Sequence, residues 1–104
     1  MVNTDPRLRR NRLRQNYAAA FARFLFHRDE AALSAAYELG RRALESGVSL
    51  LDVVQIHHTV VIDARPGLEG PQELAEAAAT FLAEVLASFD MAQRALTEQR
   101  EMPK

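Results

Sequence analysis

The sequence predicts an all-α fold, a four-helix bundle-like domain with a long C-terminal helix, and three observations lead to it. Apolar residues recur at spacings of three and four along most of the 104 residues, which is the period of an amphipathic helix. No segment of useful length alternates apolar and polar residues as a half-buried strand does. Glycine and proline are dense only at 65–71, which predicts one clear loop. We expect residues 1–104 to form a single domain, because two smaller pieces could not bury an adequate core.

The first helix is predicted from Pro6 to about His27. Thr4 or Asp5 can cap it, and proline is tolerated in an opening turn because its missing N–H would be unpaired there anyway. Its apolar stripe consists of Leu13, Tyr17, Phe21, Phe24 and Leu25.

The second helix is predicted between a cap at Asp29 and the last residue of its apolar period, Leu44. Gly47 follows at the position that favours a left-handed helix stop. Gly40 lies inside the helix, where glycine costs about 1 kcal/mol relative to alanine. We therefore expect a neighbouring helix to pass close to Gly40.

The third helix is predicted from about Leu50 to Ala64, after a capping box in which Asp52 follows Ser49 by three residues. Its polar residues lie on one narrow stripe, while almost all others are apolar: Asp52, Gln55, Thr59 and Asp63. A helix that is apolar over most of its circumference must be buried on more than one side.

The fourth helix is predicted from about Gln72 towards Arg100. Its apolar residues follow an a/d-like spacing over three heptads: Leu74, Ala78, Phe81, Val85, Phe89, Ala92 and Leu96. Self-association would bury the surplus apolar faces of the third and fourth helices, and two-fold dimers are the commonest solution. We expect a homodimer, with a compact monomer as the alternative. The residues assigned to the dimer or the core are Ile56, Val60, Phe81, Val85 and Phe89.

The chain lacks the motifs that common enzymes need. It contains no cysteine, no glycine-rich phosphate loop and no nucleophile elbow, so we expect neither catalysis nor a cofactor. The most apolar stretch, 48–62, is too short and too polar to span a bilayer. The first six residues lack the basic-then-apolar order of a signal peptide. We expect a cytoplasmic protein with no membrane partner.

A cluster of five arginines marks the first helix: Arg7, Arg9, Arg10, Arg12 and Arg14. Such a cluster can bind nucleic acid or an acidic membrane surface. However, no aromatic residue lies between these arginines to stack on bases, and no recognition-helix signature follows. We expect a solvated helix start and no nucleic-acid partner, with a basic binder kept as an alternative.

His57 and His58 are the one pair that suggests metal or proton chemistry. Adjacent residues on a helix point about 100° apart, so the two imidazoles of one chain cannot easily hold one metal. We therefore expect no metal site, and two partly buried, hydrogen-bonded imidazoles. A metal shared across a dimer axis and a pH-sensitive interface histidine stay open as alternatives.

Tyr37 lies beside Glu38 and Arg41, which have the spacing of a surface ion pair. Tyrosine and arginine are favoured anchors of protein interfaces. From the residues alone, a core role and a surface role are both open for each of these side chains.

The run 36–41, followed by Asp52 and the pair His57–His58, resembles the N-terminal domain of RsbU-type serine phosphatases, which activate the bacterial general stress response. The resemblance extends from about Tyr17 to Leu96, where Phe89-Asp90-Met91 is similar to a Phe-Glu-Met signature of the family.

This resemblance implies a helical dimer that binds a switch-protein serine kinase and stimulates a phosphatase domain, without chemistry of its own. The positions that match the family are candidates for structure or docking: Tyr37, Glu38, Gly40, Arg41, Asp52, His57 and His58. Our predicted partner-binding residues are Tyr37, Glu38, Arg41, Asp52, Gln55 and His58. The alternative function is a helical ligand- or metal-sensing domain that uses His57 and His58.

Overall fold

The computed structural model describes residues 5–64 and 70–101, which form four α-helices. They are α1 (Pro6–Phe26), α2 (Glu30–Glu45), α3 (Leu50–Asp63) and α4 (Pro71–Glu101). No strand occurs in these two ranges, so the predicted all-α class is confirmed. Each predicted helix agrees with the observed one within about one residue at its ends. The predicted cap Thr4 and most of the predicted loop, 65–69, lie outside the described residues.

Side-chain caps begin the first three helices where the sequence predicts them. The Asp5 carboxylate accepts from the backbone N–H of Arg7, and the Asp29 carboxylate accepts from that of Ala32 at 2.8 Å. The Ser49 hydroxyl accepts from the N–H of Asp52 at 3.1 Å. These bonds satisfy N–H groups that have no partner inside a first helical turn. Gly47 follows α2 with a φ of 77°, a left-handed conformation that glycine adopts without strain.

The helices differ in how extensively they pack against one another. Helices α2 and α4 share the largest contact, and α1 packs on both of them. Helix α3 rests mainly on α1, contacts α4 only slightly, and scarcely meets α2. The residues assigned to the dimer or the core are all buried within the single chain: Ile56, Val60, Phe81, Val85 and Phe89. None of these five side chains therefore offers a free surface to a second copy.

An aromatic cluster joins α1 to α4. The rings of Tyr17 and Phe21 meet the ring of Phe81 edge-on, with centroid distances of 5.2 and 5.3 Å. Phe24 lies against the same ring at 5.7 Å. Such pairs contribute about 0.5–1.5 kcal/mol each beyond the area that they bury. The stripe of α1 that the sequence predicts is thus the side that faces α4.

The closest approach between two helices is at Gly40, as the sequence predicts. A Cβ atom at this position would collide with the Ser88 hydroxyl oxygen and with the backbone carbonyl oxygen of Val85 on α4. Ser88 is fully buried, and its hydroxyl donates to that same carbonyl at 3.0 Å. The serine therefore fills the space above Gly40 without leaving a buried hydroxyl unpaired.

The last part of α4 extends past the shared core. Phe89 is its last buried residue, and beyond it Met91 and Leu96 are exposed apolar side chains. The apolar stripe of α4 is buried from Phe81 to Phe89, as predicted, whereas Leu96, which continues the stripe, is exposed. In the described ranges no helix has the length and hydropathy that crossing a membrane requires.

Replacing Gly40 with alanine is expected to destabilise the protein. In an open helix the change would stabilise it by about 1 kcal/mol, but here the new methyl group meets a backbone carbonyl that cannot move unless α4 moves. We expect a net loss of at least about 1 kcal/mol and a fall in Tm of about 4–8 °C. The matched control is Gly70→Ala, since a Cβ at Gly70 has no neighbour within 4 Å. Equal melting temperatures for the two variants, measured by circular dichroism, would contradict the close approach.

Candidate functional site

Helix α2 holds three of the predicted partner-binding residues on its surface. Tyr37 is half-buried, whereas Glu38 and Arg41 are exposed. The Arg41 guanidinium lies 3.8 Å from the Glu38 carboxylate and 3.6 Å from that of Glu45. Ion pairs this exposed contribute little to stability, so the arginine can exchange them for a partner's carboxylate at small cost.

Helix α3 holds the other three predicted partner-binding residues. Asp52 is half-buried and lies 3.7 Å from the guanidinium of Arg10, which links α3 to the arginine-rich start of α1. Gln55 and His58 are exposed. Because α2 and α3 scarcely contact each other, the packing does not join the two groups of three into one patch. Their role in partner binding stays a prediction.

Apart from His58, the residues that make α3 unusual are not among the site residues predicted from the sequence. Its outer face consists of the exposed residues Leu51, Val54, His58 and Ile62, and the half-buried Val61 borders it where the helix meets the core. The exposed fraction is 67% for Leu51, 38% for Val54 and 67% for Ile62. The signal was present in the narrow polar stripe of this helix, which leaves more apolar circumference than one core contact can cover. That signal indicated an apolar surplus but not which side chains form it.

His57 and His58 have different environments, although they are neighbours. His58 is exposed, while His57 is buried between α3 and α1. The Nδ1 atom of His57 lies 2.6 Å from the hydroxyl oxygen of Tyr17, which is itself fully buried. The rings of Tyr17 and Phe21 stand edge-on to the imidazole. The expectation of a hydrogen-bonded, buried imidazole is confirmed for His57, and it is wrong for His58.

Burial sets the protonation of this pair. It raises the pKa of the Tyr17 phenol well above its ordinary value, so the hydroxyl keeps its proton. Burial also lowers the pKa of His57 below 6.5, and the neighbouring charge of His58 lowers it further. At neutral pH the imidazole is uncharged, and the phenol hydroxyl donates a hydrogen bond to Nδ1 in the tautomer that carries the imidazole proton on Nε2. The described residues hold no buried side-chain polar atom without a hydrogen-bond partner.

The described residues form no metal site around the two histidines. Within 5–64 and 70–101, no group of three or more His, Asp or Glu side chains is placed to hold an ion. An open groove of about 350 Å³ lies between the end of α1 and the starts of α2 and α4, lined by residues such as Phe24, Leu33 and Glu76. Neither histidine lines this groove. This groove therefore gives the ligand-sensing alternative no contact with His57 or His58.

Comparison with known proteins identifies the family of this helical chain. The model of the family described as phosphoserine phosphatase RsbU, N-terminal domain, matches residues 15–92. The chain belongs to this family. The resemblance predicted from the sequence is thereby confirmed, and the RsbU N-terminal domain is a regulatory module of the phosphatase family. The comparisons with curated proteins and with solved structures give no match.

The matched range of the RsbU N-terminal domain contains all six predicted partner-binding residues, the outer face of α3 and the Tyr17–His57 pair. It ends near the point where α4 leaves the shared core. The family match thus covers the parts of the chain from which a site can be built.

The stability of this RsbU N-terminal domain is expected to depend on pH through His57. Because the pKa of the folded state is lowered, the unfolded chain binds the proton first. The full contribution is present above pH 6.5 and is lost as the pH falls from there towards the lower pKa of the folded state. One proton changes the free energy of unfolding by at most about 1.4 kcal/mol per pH unit. Urea denaturation between about pH 7.5 and 5.5 measures this slope.

Two histidine variants separate this effect from general acid destabilisation. His57→Asn keeps a hydrogen-bonding group near the position of Nδ1 and does not titrate, so most of the slope should disappear. His27→Asn changes an exposed histidine and should keep the slope of the unmodified protein. A slope that survives in His57→Asn would refute the assignment.

Proposed function

We propose that this RsbU N-terminal domain is a non-catalytic, cytoplasmic signalling module that forms a homodimer and binds a switch-protein serine kinase. In this role it would regulate a serine phosphatase of bacterial stress signalling. The observation that carries the proposal is the family match over 15–92 on a helical chain that keeps an uncovered apolar helix face.

The outer face of α3 supports the homodimer. Complete burial of a leucine, valine or isoleucine side chain stabilises by about 1.5–3 kcal/mol, which gives these exposed residues a strong tendency to associate. The polar stripe of α3, which includes Asp52 and Asp63, lies elsewhere around the helix. The outer face therefore carries no carboxylate that would repel an identical face. A two-fold axis places one such patch against its own copy.

The surface of α2 supports the kinase contact. Tyr37 presents a half-buried aromatic ring. Next to it, Glu38, Arg41 and Glu45 form a row of exposed charges that can be paired again across an interface. An aromatic anchor beside an arginine is a frequent centre of protein–protein binding energy.

Helix α4 supplies a route for the signal. It runs for 31 residues from the core to the exposed residues beyond Phe89, and its length is about 46 Å at 1.5 Å per residue. A kinase that binds one arrangement of two such helices better than another would shift the population towards that arrangement. Such a shift could reach a phosphatase domain without chemistry in this module.

The dimer is tested by placing charge on the outer face of α3. The chain is expected to have a mass of twice 11.6 kDa by light scattering, and Leu51→Glu combined with Ile62→Glu should reduce it to 11.6 kDa. Because both side chains are 67% exposed in one chain, the helical content should not change. Met91→Glu, at an exposed apolar residue of α4, is the matched control and should remain dimeric. A monomer at every concentration, or a double variant that stays dimeric, would contradict this interface.

The kinase contact is tested by truncating the anchors on α2. Tyr37→Ala and Arg41→Ala should each raise the Kd for the switch-protein kinase of the same signalling system about tenfold, equivalent to about 1.4 kcal/mol. Isothermal titration calorimetry measures the Kd, and circular dichroism shows whether the fold is retained. The matched control is Arg23→Ala, which removes an exposed arginine of α1. If both α2 variants bind as the control does, the docking surface lies elsewhere.

A further inference from the structure

Helix α3 contains several pairs of identical adjacent residues. Four doublets of identical residues follow one another along the helix: Leu50–Leu51, Val53–Val54, His57–His58 and Val60–Val61. Successive doublets are three, four and three residues apart, which is the spacing of one helix face. Because neighbouring residues lie about 100° apart around the axis, the first and second members of the doublets form two faces of the same composition.

Only one of these two faces lies in the core. Three of the four first members form the inner face of α3, where Val53, His57 and Val60 are 1%, 8% and 7% exposed, whereas Leu50 is 48% exposed. Of the second members, Leu51, Val54 and His58 are exposed, whereas Val61 is half-buried and packs against the core. At Val54 and His58 the helix therefore presents to solvent the same residue types that it buries at Val53 and His57.

A turn of α3 by about 100°, with a shift of about 1.5 Å along its axis, would bring the second members of the doublets into the places of the first. Val54, His58 and Val61 would then occupy the places of Val53, His57 and Val60. The imidazole of His58 would accept the hydrogen bond of the Tyr17 hydroxyl, which cannot remain unpaired in the core without a cost. At these three positions the residue types of the buried surface would be the same as in the observed structure.

We call the observed position of α3 and the turned position its two registers. One residue makes their stabilities unequal. Ile56 is buried at 5% exposure, and in the second register its place would be taken by the polar ring of His57. The observed register is therefore the more stable one, and the second is a minor state. Intermediate orientations leave Tyr17 without an acceptor, so the two registers are separate states.

Apart from its contact with α1, helix α3 is held only weakly by other helices, although the turn must break the bond from the Asp52 N–H to the Ser49 hydroxyl. Its contacts with α4 are slight, and those with α2 are slighter still. The ion pair between Asp52 and Arg10 must break, but both side chains are partly exposed, and such pairs contribute little. The aromatic cluster of α1 and α4 does not include an α3 residue other than His57 at its edge.

We propose that α3 is a two-register element, which turns by one residue to exchange His57 for His58 at the Tyr17 hydroxyl and thereby changes the face that it shows to solvent. A ligand or partner that prefers one face shifts the population of the two registers. The proposed rotation is inferred only from the residues of α3 and from Tyr17. Its use in regulating dimerisation or kinase binding rests on the proposed function.

The experiment uses the variant His57→Ile to favour the second register. In the observed register this change leaves Tyr17 without an acceptor, while in the second register it places isoleucine where Ile56 packs now. We expect the nuclear Overhauser contacts of the Tyr17 ring to move from residue 57 to the ring of His58. A Tyr17 ring that shows no contact with His58 in this variant would overturn the proposal.

A thiol probe measures the same change independently. The chain has no cysteine, so Val53→Cys introduces a single thiol that is buried in the observed register and leaves the core in the second. Its labelling should be at least about tenfold faster in the His57→Ile background than in the His58→Ile background, which lacks the acceptor needed for the second register. The matched control is Val85→Cys in the core of α4, whose labelling should change less than about twofold.

Unfolding is separated from rotation by the control thiol and by a second variant. If the His57→Ile change accelerates the labelling of the Val53→Cys and Val85→Cys thiols equally, the chain unfolds and the rotation is refuted for His57→Ile. His58→Ile, added to Val53→Cys with all other residues unchanged, should slow the labelling of the Val53→Cys thiol. If the thiol is labelled through global unfolding, this change gives no slowing, and that result would overturn the proposal. These readouts do not require a dimer or a kinase, so the rotation and the proposed function can fail separately.

Discussion

The contact of Gly40 with α4 is the constraint on which the rest of this fold depends. Without a side chain at Gly40, α2 lies directly on the backbone of α4, and the Ser88 hydroxyl fills the remaining space. This approach makes the α2–α4 contact the largest in the molecule. It also leaves Phe81 of α4 available to α1, whose aromatic residues pack on its ring. The fold is therefore ordered by packing: α2 and α4 form the base, α1 covers it, and α3 is attached to α1.

The weak attachment of α3 has a consequence for function. A helix held on one side by α1 keeps its other apolar side free, and that free side is where a second chain or a partner can gain the most from burial. Elements that move or bind are drawn from the least stably attached parts of a structure. In this RsbU N-terminal domain both properties meet on α3, which also holds three of the predicted partner-binding residues. The α2 surface around Arg41, by contrast, belongs to the firmly packed base.

Most of the fold could be predicted from local rules, but the environment of the site could not. Asp5, Asp29 and Ser49 act through N–H groups two or three residues away, so their capping roles can be identified from sequence. Gly40 could be recognised because a glycine inside a helix needs a reason. His57 and His58 look alike in sequence, and only the hydroxyl of Tyr17, 40 residues away along the chain, distinguishes them. The outer face was visible as an apolar surplus, yet its residues could be named only once α1 was seen to cover the opposite side.

The buried Tyr17–His57 pair is better explained by selection between registers than by stability. A net hydrogen bond contributes about 0.5–1.5 kcal/mol, whereas two apolar side chains of similar size would pack in the same place without any polar group to satisfy. What apolar residues could not provide is a penalty for intermediate orientations of α3, because leucine and valine tolerate many rotations of a helix. The Tyr17 hydroxyl finds an acceptor in only two positions of α3, the one that brings His57 to it and the one that brings His58 to it. The doublets supply nearly equal apolar faces at both positions, and Ile56 tilts the balance towards the observed one. A buried polar pair combined with a doubled apolar pattern thus turns a loosely attached helix into an element with two defined states.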